Sequence, residues 1–247
     1  MSSQTSGSLG LLLLEQLESR RSLDTFPSLT GVTGSMEQPT TYDFPVVTET
    51  VAGAWADDVI RGNPALESAC IAAARRAVEK GAMVITSDCG FFIRHQEAVA
   101  ASVNVPVVMS SLLLAPTLLR QLPRTTKLAV VTADSRHCTN DLLGLDNPAD
   151  RSRIAIGGIE DGDWFQNVMK HWSRDATEVS PPPYRDSDLE ADVTACVARL
   201  RAAHPEIAAL LFECTGFPAV APAIRRITGL PTYDLGTLHR MTLASIA

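Results

Sequence analysis

The chain has 247 residues, of which 45% are hydrophobic and 20% are charged, and its formal net charge is −7 at pH 7. This length suits one or two domains with a substantial core, and the modest charge content excludes an intrinsically disordered chain. The acidic balance and the lack of a cluster of basic residues argue against nucleic acid as a partner, because phosphate binding needs a basic face.

The strand-like segments are short apolar runs that alternate with helical patterns. They lie at residues 9–14, 46–51, 83–86, 107–109, 128–131, 154–156, 208–212 and 230–233. Such runs are typical of strands buried on both faces of a parallel sheet. Helical spacing predicts helices over residues 65–80, closed by Gly81, and over residues 188–203. The alternation predicts an α/β fold with right-handed crossovers.

The order of these elements repeats along the chain. Cys89 and Cys214 each follow an apolar strand, and each comes at the same distance before a proline that opens the next predicted strand. An acidic residue, Asp88 or Glu213, directly precedes each cysteine. The repeat predicts two similar halves that place the two cysteines at equivalent points.

We therefore predict two pseudo-symmetric, flavodoxin-like halves, each with a four-stranded parallel sheet, and an active site in the cleft between them. The halves cover residues 1–123 and 124–247, and the segment 236–247 is expected to pack back on the first half. The irregular stretches 27–44 and 175–186 are long enough to serve as lids over the cleft.

The chain carries no motif for a metal or a cofactor. It has no G-x-G-x-x-G, no P-loop and no H-E-x-x-H, so we predict neither a metal nor a cofactor. The five cysteines form no C-x-x-C pair, which predicts a reducing, cytoplasmic location without a disulfide framework. The apolar run at residues 11–14 is too short for a membrane span or a signal-peptide core, so we expect no membrane partner.

The two matched cysteines are the candidate catalytic residues. Ligands of open α/β sheets bind beyond the carboxyl ends of the strands, where Cys89 and Cys214 both fall. If the halves face each other, one thiolate can remove a proton from a carbon next to a carbonyl, and the other thiol can protonate the opposite face. A helix is predicted to start after each cysteine, and its N–H groups are expected to lower the thiol pKa.

The segments Ser87-Asp-Cys-Gly and Glu213-Cys-Thr-Gly, in duplicated α/β halves, resemble the aspartate/glutamate/hydantoin racemase superfamily, which also includes maleate isomerases and arylmalonate decarboxylases. The resemblance covers nearly the whole chain and extends to residues 40–45 and 130–134. It implies a cofactor-independent enzyme in which Cys89 and Cys214 are the two acid/base groups. It also implies self-association into homo-oligomers.

Further site residues follow from the resemblance and from position. The resemblance implies that Ser87, Gly90, Thr215 and Gly216 hold the substrate carboxylate or the enolate. Position at strand ends or in the first long loop adds further candidates for substrate contact, namely Ser110, Thr132, Thr41 and Tyr42. Phe91, with Phe92 and Phe217, indicates a more apolar pocket than that of glutamate racemases.

The chain departs from the superfamily pattern around both cysteines. Many glutamate and aspartate racemases have Asn-Thr where this chain has Gly90-Phe91. They often have Gly where this chain has Glu213, and His where it has Gly216. A carboxylate close to a thiol raises the pKa of that thiol, so the sequence leaves the role of Asp88 and Glu213 open.

Other candidates have simpler interpretations. Cys70 and Cys196 fall on apolar helix faces and are predicted to lie in the core. Cys138 is expected to be a packed or surface cysteine, with a nucleophilic pair with His137 as the alternative. His95 is predicted to lie on a helix surface.

The leading hypothesis is a racemase or epimerase that acts alpha to a carbonyl of a small amino-acid-like or hydantoin-like carboxylate. One alternative is a maleate-type cis–trans isomerase or an arylmalonate-type decarboxylase on the same fold. A second alternative is a ligand-binding protein of this fold without turnover.

Overall fold

A computed structural model describes residues 8–15, 45–175 and 186–246. Its strands are β1 (Ser8–Leu13), β2 (Val46–Thr50), β3 (Ala82–Ser87), β4 (Lys127–Thr132), β5 (Ile154–Gly158), β6 (Ile207–Phe212) and β7 (Thr232–Tyr233). They form two parallel sheets, one with the order β2-β1-β3 and one with the order β5-β4-β6-β7. The predicted α/β fold with parallel sheets is confirmed.

The helices of the described residues are α1 (Ala56–Arg61), α2 (Glu67–Glu79), α3 (Gln96–Ala100), α4 (Ala115–Gln121), α5 (Pro148–Arg151), α6 (Asp163–Trp172), α7 (Asp186–Ala203), α8 (Ala221–Thr228) and α9 (Leu235–Ala244). Short 3-10 turns lie at Pro64–Leu66, Gly90–His95, Ser111–Leu114, Asn140–Leu143 and Phe217–Ala219. None of the described helices has the length and hydropathy needed to cross a membrane.

Helix packing follows the predicted apolar faces. α2 packs on β1, β2 and β3 through Cys70, Ala73, Ala74 and Ala77, which are all fully buried. Their spacing puts them on one face, and their small side chains let the helix approach the sheet closely. α7 packs on β4 and β5 and buries Cys196 in the equivalent position. The core placement of Cys70 and Cys196 is therefore confirmed.

Among the described residues the first sheet has three strands, so the prediction of four strands in each half is not confirmed there. Of the predicted strand at residues 107–109, only an isolated bridge to β3 is present. The next two carbonyls, of Val108 and Met109, accept hydrogen bonds from the hydroxyls of Thr86 (2.9 Å) and Ser87 (2.6 Å). Because side chains satisfy these carbonyls, the segment needs no further ladder bonds.

The last helix contacts the first half of the chain. α9 begins after Asp234, whose side chain accepts a hydrogen bond from the backbone N–H of Thr237 (2.8 Å). From there it packs against the 3-10 turn Ser111–Leu114. On this helix, Nε2 of the buried His239 is hydrogen-bonded to Oγ1 of Thr86 at 2.6 Å. The end of the chain thus contributes to the packing around β3, the strand that leads to Cys89.

Candidate active site

The two candidate cysteines occupy equivalent positions at the carboxyl ends of β3 and β6. Each is separated from its strand by one acidic residue, and each is half-buried. The backbone N–H of Asp88 donates to the carbonyl of Leu12 (2.9 Å), and that of Glu213 donates to the carbonyl of Val131 (2.9 Å). The strand-to-cysteine connection is thus anchored to the central strand of its sheet in the same way in both halves.

The side chains of the two acidic residues repeat this symmetry. Both carboxylate oxygens of Asp88 accept from the backbone N–H of Leu14, at 2.9 and 3.1 Å. Oε2 of Glu213 accepts from the backbone N–H of Ala133 (3.3 Å) and from Oγ1 of Thr132 (2.8 Å). Each acid therefore caps the end of the neighbouring central strand, a role that the sequence left open.

The loops that carry the two cysteines touch each other across the two sheets. Oγ1 of Thr215 donates a hydrogen bond to the carbonyl of Asp88. Gly90 lies so close to Glu213 that a Cβ atom there would come within 2.3 Å of the Glu213 carbonyl oxygen and 2.4 Å of Oε1. Close backbone approach therefore requires glycine directly after Cys89.

Two further hydrogen bonds join the halves beside this contact. Oγ of the buried Ser111 donates to the carbonyl of Phe212 at 2.6 Å. Nη2 of Arg94, in the turn after Cys89, donates to the carbonyl of His137 at 2.6 Å. The two thiols are consequently close enough for the charge on Cys214 to raise the pKa of Cys89.

The structure contradicts the prediction that the thiol pKa values are lowered. Burial raises the pKa of Cys89 well above its ordinary value, and the negative charges of Glu213 and Asp88 raise it further. Burial and the charge of Glu213 raise the pKa of Cys214 to about 12. Hydrogen bonds from backbone N–H groups, of Phe91 to Cys89 and of Gly216 and Phe217 to Cys214, oppose the shift.

The prediction of lowered thiol pKa values fails because of the structure directly around each cysteine. The segments after the cysteines begin as short 3-10 turns, Gly90–His95 and Phe217–Ala219, and not as long α-helices. Their N–H groups do point at the sulfur atoms, but burial and the two acids act in the opposite direction and outweigh them. Both thiols are therefore protonated at neutral pH.

Glu213 is the most perturbed carboxyl group of the site. It is 1% exposed, and burial raises its pKa to about 7, although the hydrogen bonds from Thr132 and Ala133 and the charge of Arg94 lower it. Its Oε1 atom is buried and has no hydrogen-bond partner among the described residues. Glu213 thus titrates near neutrality in contact with both cysteine loops.

Other predicted site residues are hydrogen-bonded into the same framework. Oγ of Ser87 donates to the carbonyls of Cys89 (2.9 Å) and Met109 (2.6 Å), so this hydroxyl holds the cysteine loop. Oγ of Ser110 accepts from the backbone N–H of Leu112 (3.2 Å) and caps the following 3-10 turn. Thr132 donates to Glu213, as described above.

The remaining predicted site residues differ in their position relative to the two cysteines. The Phe91 side chain is buried in the core with those of Phe92 and Phe217, so Phe91 presents its backbone N–H to Cys89. Gly216 lies beside Cys214, since a Cβ atom there would be 3.8 Å from its sulfur. Thr41 and Tyr42 lie outside the described residues, as do almost all positions of the two predicted lid segments.

Of two further residues near the cysteines, Cys138 is packed as predicted and His95 differs from its predicted setting. Nδ1 of His137 pairs with Asp134 at 3.2 Å, whereas Cys138 is buried beside Thr132 with its pKa raised by burial to about 12. This setting disfavours a nucleophilic Cys–His pair. His95 is 4% exposed, so the prediction of a helix-surface position is wrong. Arg94 was not predicted, because a single arginine in a turn gives no sequence signal.

No protein-family model matches this chain. The chain is 33% identical over 160 residues to a dimethylsulfoniopropionate lyase from Durusdinium sp. clade D, a match that covers 63% of this chain and 50% of that protein. It is 28% identical over 215 residues to dimethylsulfoniopropionate lyase 5 from Emiliania huxleyi, covering 83% and 41% of the two chains. The chain spans about half or less of the length of these two relatives.

Solved structures with the same architecture include racemases and a decarboxylase. Allantoin racemase from Klebsiella pneumoniae matches with a TM-score of 0.57 and 13% identity, covering 98% of this chain and 87% of that one. A mutant of arylmalonate decarboxylase in the liganded form matches with a TM-score of 0.53 and 14% identity, covering 96% and 92%. An aspartate racemase homologue from Pyrococcus horikoshii OT3 also matches, with a TM-score of 0.53 and 14% identity over 97% and 98% of the two chains. The chain therefore has the fold of the aspartate/glutamate racemase-like superfamily.

Proposed function

We propose that this chain is an enzyme that removes a proton from the carbon next to a carboxylate and expels a leaving group from the following carbon. The proposed substrates are small β-sulfonio carboxylates, and dimethylsulfoniopropionate is the first compound to test. The names of the curated relatives support this substrate class, whereas the resemblance to racemases concerns the fold.

The observation that carries the proposal is the position of Cys89 and Cys214, which follow equivalent strand ends on two loops that contact each other. The hydrogen bond from Thr215 to Asp88 and the contact of Gly90 with Glu213 bring the two cysteine loops together. Two thiols beside one small site suit proton transfer at carbon, and general acid–base catalysis of this kind contributes about 10²- to 10⁴-fold.

The chemistry of such an elimination balances without a redox partner. One thiolate takes the α-proton, and the electron pair of that C–H bond forms the new carbon–carbon double bond. The bond from the β-carbon to sulfur breaks with its electron pair, so that dimethyl sulfide leaves and acrylate remains. The N–H groups that face the thiols can stabilise the negative charge that develops on the carboxylate during proton removal.

The charges of the site favour a substrate that carries a positively charged group. Asp88 and Glu213 are the acidic groups that act on Cys89, and both raise its pKa. A sulfonium group bound beside the thiol would act in the opposite direction, because a nearby positive charge favours the thiolate. A substrate without a positively charged group would leave the raised pKa of the thiol uncompensated.

A second candidate function is racemisation by the two-thiol mechanism. The observation in its favour is the symmetry of the site, since both cysteine loops are held by matching hydrogen bonds to the central strands. Racemisation needs a proton donor and an acceptor on opposite faces of one carbon, whereas elimination needs one base.

Proton NMR in D2O separates these functions. The protein is mixed in turn with dimethylsulfoniopropionate, allantoin, aspartate and phenylmalonate, and the carbon-bound protons are followed. We expect acrylate and dimethyl sulfide from the first compound and no loss of signal from the others. Exchange at one α-carbon with loss of optical rotation would instead establish a racemase, and loss of CO2 from phenylmalonate a decarboxylase.

A further inference from the structure

Glu213 is the one acidic side chain that meets both cysteine loops among the described residues. It directly precedes Cys214 in the chain, and its Oε1 atom lies against Gly90, the residue after Cys89. Oε2 is fixed by two hydrogen-bond donors, while Oε1 is buried and has no hydrogen-bond partner among the residues described. A buried carboxylate oxygen without a donor is costly, whereas the protonated acid carries its own donor at that atom.

The charges near Glu213 also support a protonated carboxyl group when a thiolate is present. The titratable and charged groups that act on the site around it are Arg94, Asp88, Asp134, Cys89, Cys138 and Cys214. The charge of Glu213 is the largest single charge that opposes ionisation of both Cys89 and Cys214. A carboxylate at this position and a thiolate on either cysteine therefore disfavour each other.

We propose that Glu213 is a positioning residue that is protonated whenever Cys89 or Cys214 works as a base, so that Glu213 and the working thiol are not negatively charged at the same time. This inference rests on the proposed function only in assigning the thiols as bases. With Glu213 neutral, the buried carboxyl carries its own proton and the main charge that opposes thiolate formation is removed. The residue thus acts on the thiols and not on the substrate.

The equivalent acid in the first half lacks these features. Both carboxylate oxygens of Asp88 accept from the backbone N–H of Leu14. Its charge raises the pKa of Cys89 less than that of Glu213 does, and it is not among the charges that act on Cys214. Asp88 therefore provides a matched control at the symmetry-related position.

The first test needs no variant. In protein labelled with ¹³C at the side-chain carboxyl of glutamate, NMR should show one buried carboxyl that titrates near pH 7, and the Glu213→Gln protein should lack that signal. Thr132→Val removes a donor to Oε2 and should move this midpoint to higher pH. Titration of every glutamate in the ordinary range near pH 4 to 5 would overturn the proposal.

The second test measures the reactivity of the thiols themselves. Glu213→Gln keeps an acceptor for Thr132 and Ala133 but removes the charge. We expect iodoacetamide to label both Cys89 and Cys214 at least about tenfold faster at pH 8, because each unit of lowered pKa raises the small thiolate fraction about tenfold. Asp88→Asn should accelerate Cys89 alone, and Cys70 should keep its rate in both variants.

The outcomes of the second test are distinct. Unchanged or slower labelling of both cysteines in a Glu213→Gln protein with a normal thermal melt would overturn the proposal. If that variant does not fold, the titration in the unmodified protein still decides. Neither measurement uses a substrate, so the coupling between Glu213 and the thiols can fail while the lyase activity stands, or hold while the lyase activity fails.

Discussion

At the scale of single residues, the two cysteines carry the proposed chemistry. Cys89→Ser and Cys214→Ser test the two thiols separately, because a serine hydroxyl is a far weaker base than a thiolate. The variant that lacks the working base should lose about 10²- to 10⁴-fold in kcat for elimination, measured as acrylate formation. Cys70→Ala, a change at a buried helix position, should keep kcat near that of the parent.

The two variants also discriminate between mechanisms. If elimination uses one base, one of the serine variants should retain most of the activity. If both variants lose elimination equally, both thiols take part in the reaction. Equal activity in both serine variants and in the parent would remove the thiols from the mechanism.

Gly90 gives a prediction about stability. A Cβ atom there would lie 2.3 Å from the Glu213 carbonyl oxygen, so Gly90→Ala must separate the two cysteine loops. We expect a loss of about 1–3 kcal/mol in the free energy of unfolding, measured by urea denaturation. Gly216→Ala is the control, because the nearest atom to its Cβ would be in the Trp164 ring, at 3.4 Å. Equal losses in the two variants would contradict this interpretation.

Some of these residue-level features follow from sequence and some do not. The repeat predicts that Cys89 and Cys214 lie at matching strand ends, because the apolar runs and the cysteine positions are visible in the chain. The direction of the thiol pKa shifts could not be predicted, since it depends on burial and on the distance from each sulfur to Glu213. Ser87 and Thr132 are predicted near the site, but their hydroxyls are hydrogen-bonded to the protein itself.

At the scale of elements, the edge of the first sheet depends on side chains. Thr86 donates to the carbonyl of Val108 and is hydrogen-bonded to His239, and all of these atoms are buried. Thr86→Val keeps the shape but removes one buried hydrogen bond from each partner, so we expect the free energy of unfolding to fall by about 1–3 kcal/mol for each bond. Ser102→Ala, which loses a partly buried hydrogen bond to the carbonyl of Val99, is the control and should cost less.

This edge also shows where prediction of elements from sequence ends. Apolar runs identify all seven strands of the described residues, because burial on both faces leaves a continuous pattern. The run at residues 107–109 has the same pattern but forms only a bridge, since Thr86, Ser87 and Gln96 bond to its backbone in place of a neighbouring strand. A hydrophobic pattern indicates which residues are buried, but it does not indicate which group donates a hydrogen bond to a given carbonyl.

At the scale of the whole molecule, a buried histidine makes stability depend on pH. Burial lowers the pKa of His239 to about 3, so the folded protein keeps this side chain neutral. As the pH falls below about 6.5, His239 takes up a proton in the unfolded chain but stays neutral in the folded chain. His239 therefore contributes a loss of stability of up to about 1.4 kcal/mol per pH unit between pH 6.5 and 3.

The raised pKa of Glu213 acts in the opposite direction. Between pH 7 and 4.5 the folded protein binds a proton at Glu213 that the unfolded chain does not, so acidification stabilises the fold there. The measurement is therefore the difference in urea midpoint between the parent and His239→Gln from pH 7 to 4. We expect the parent to lose more stability on acidification than the variant. Parallel pH profiles would contradict the burial of a neutral histidine.

The contact between α9 and the first sheet has a consequence for synthesis on the ribosome. The hydrogen bond between Thr86 and His239 joins residues that are 153 positions apart. The packing around β3, the strand that leads to Cys89, is therefore complete only after almost the whole second half of the chain has emerged. Contacts of such long sequence separation form late, because loop closure must precede them. The packing around β3 is thus expected to become complete only late in translation, although β3 itself is made early.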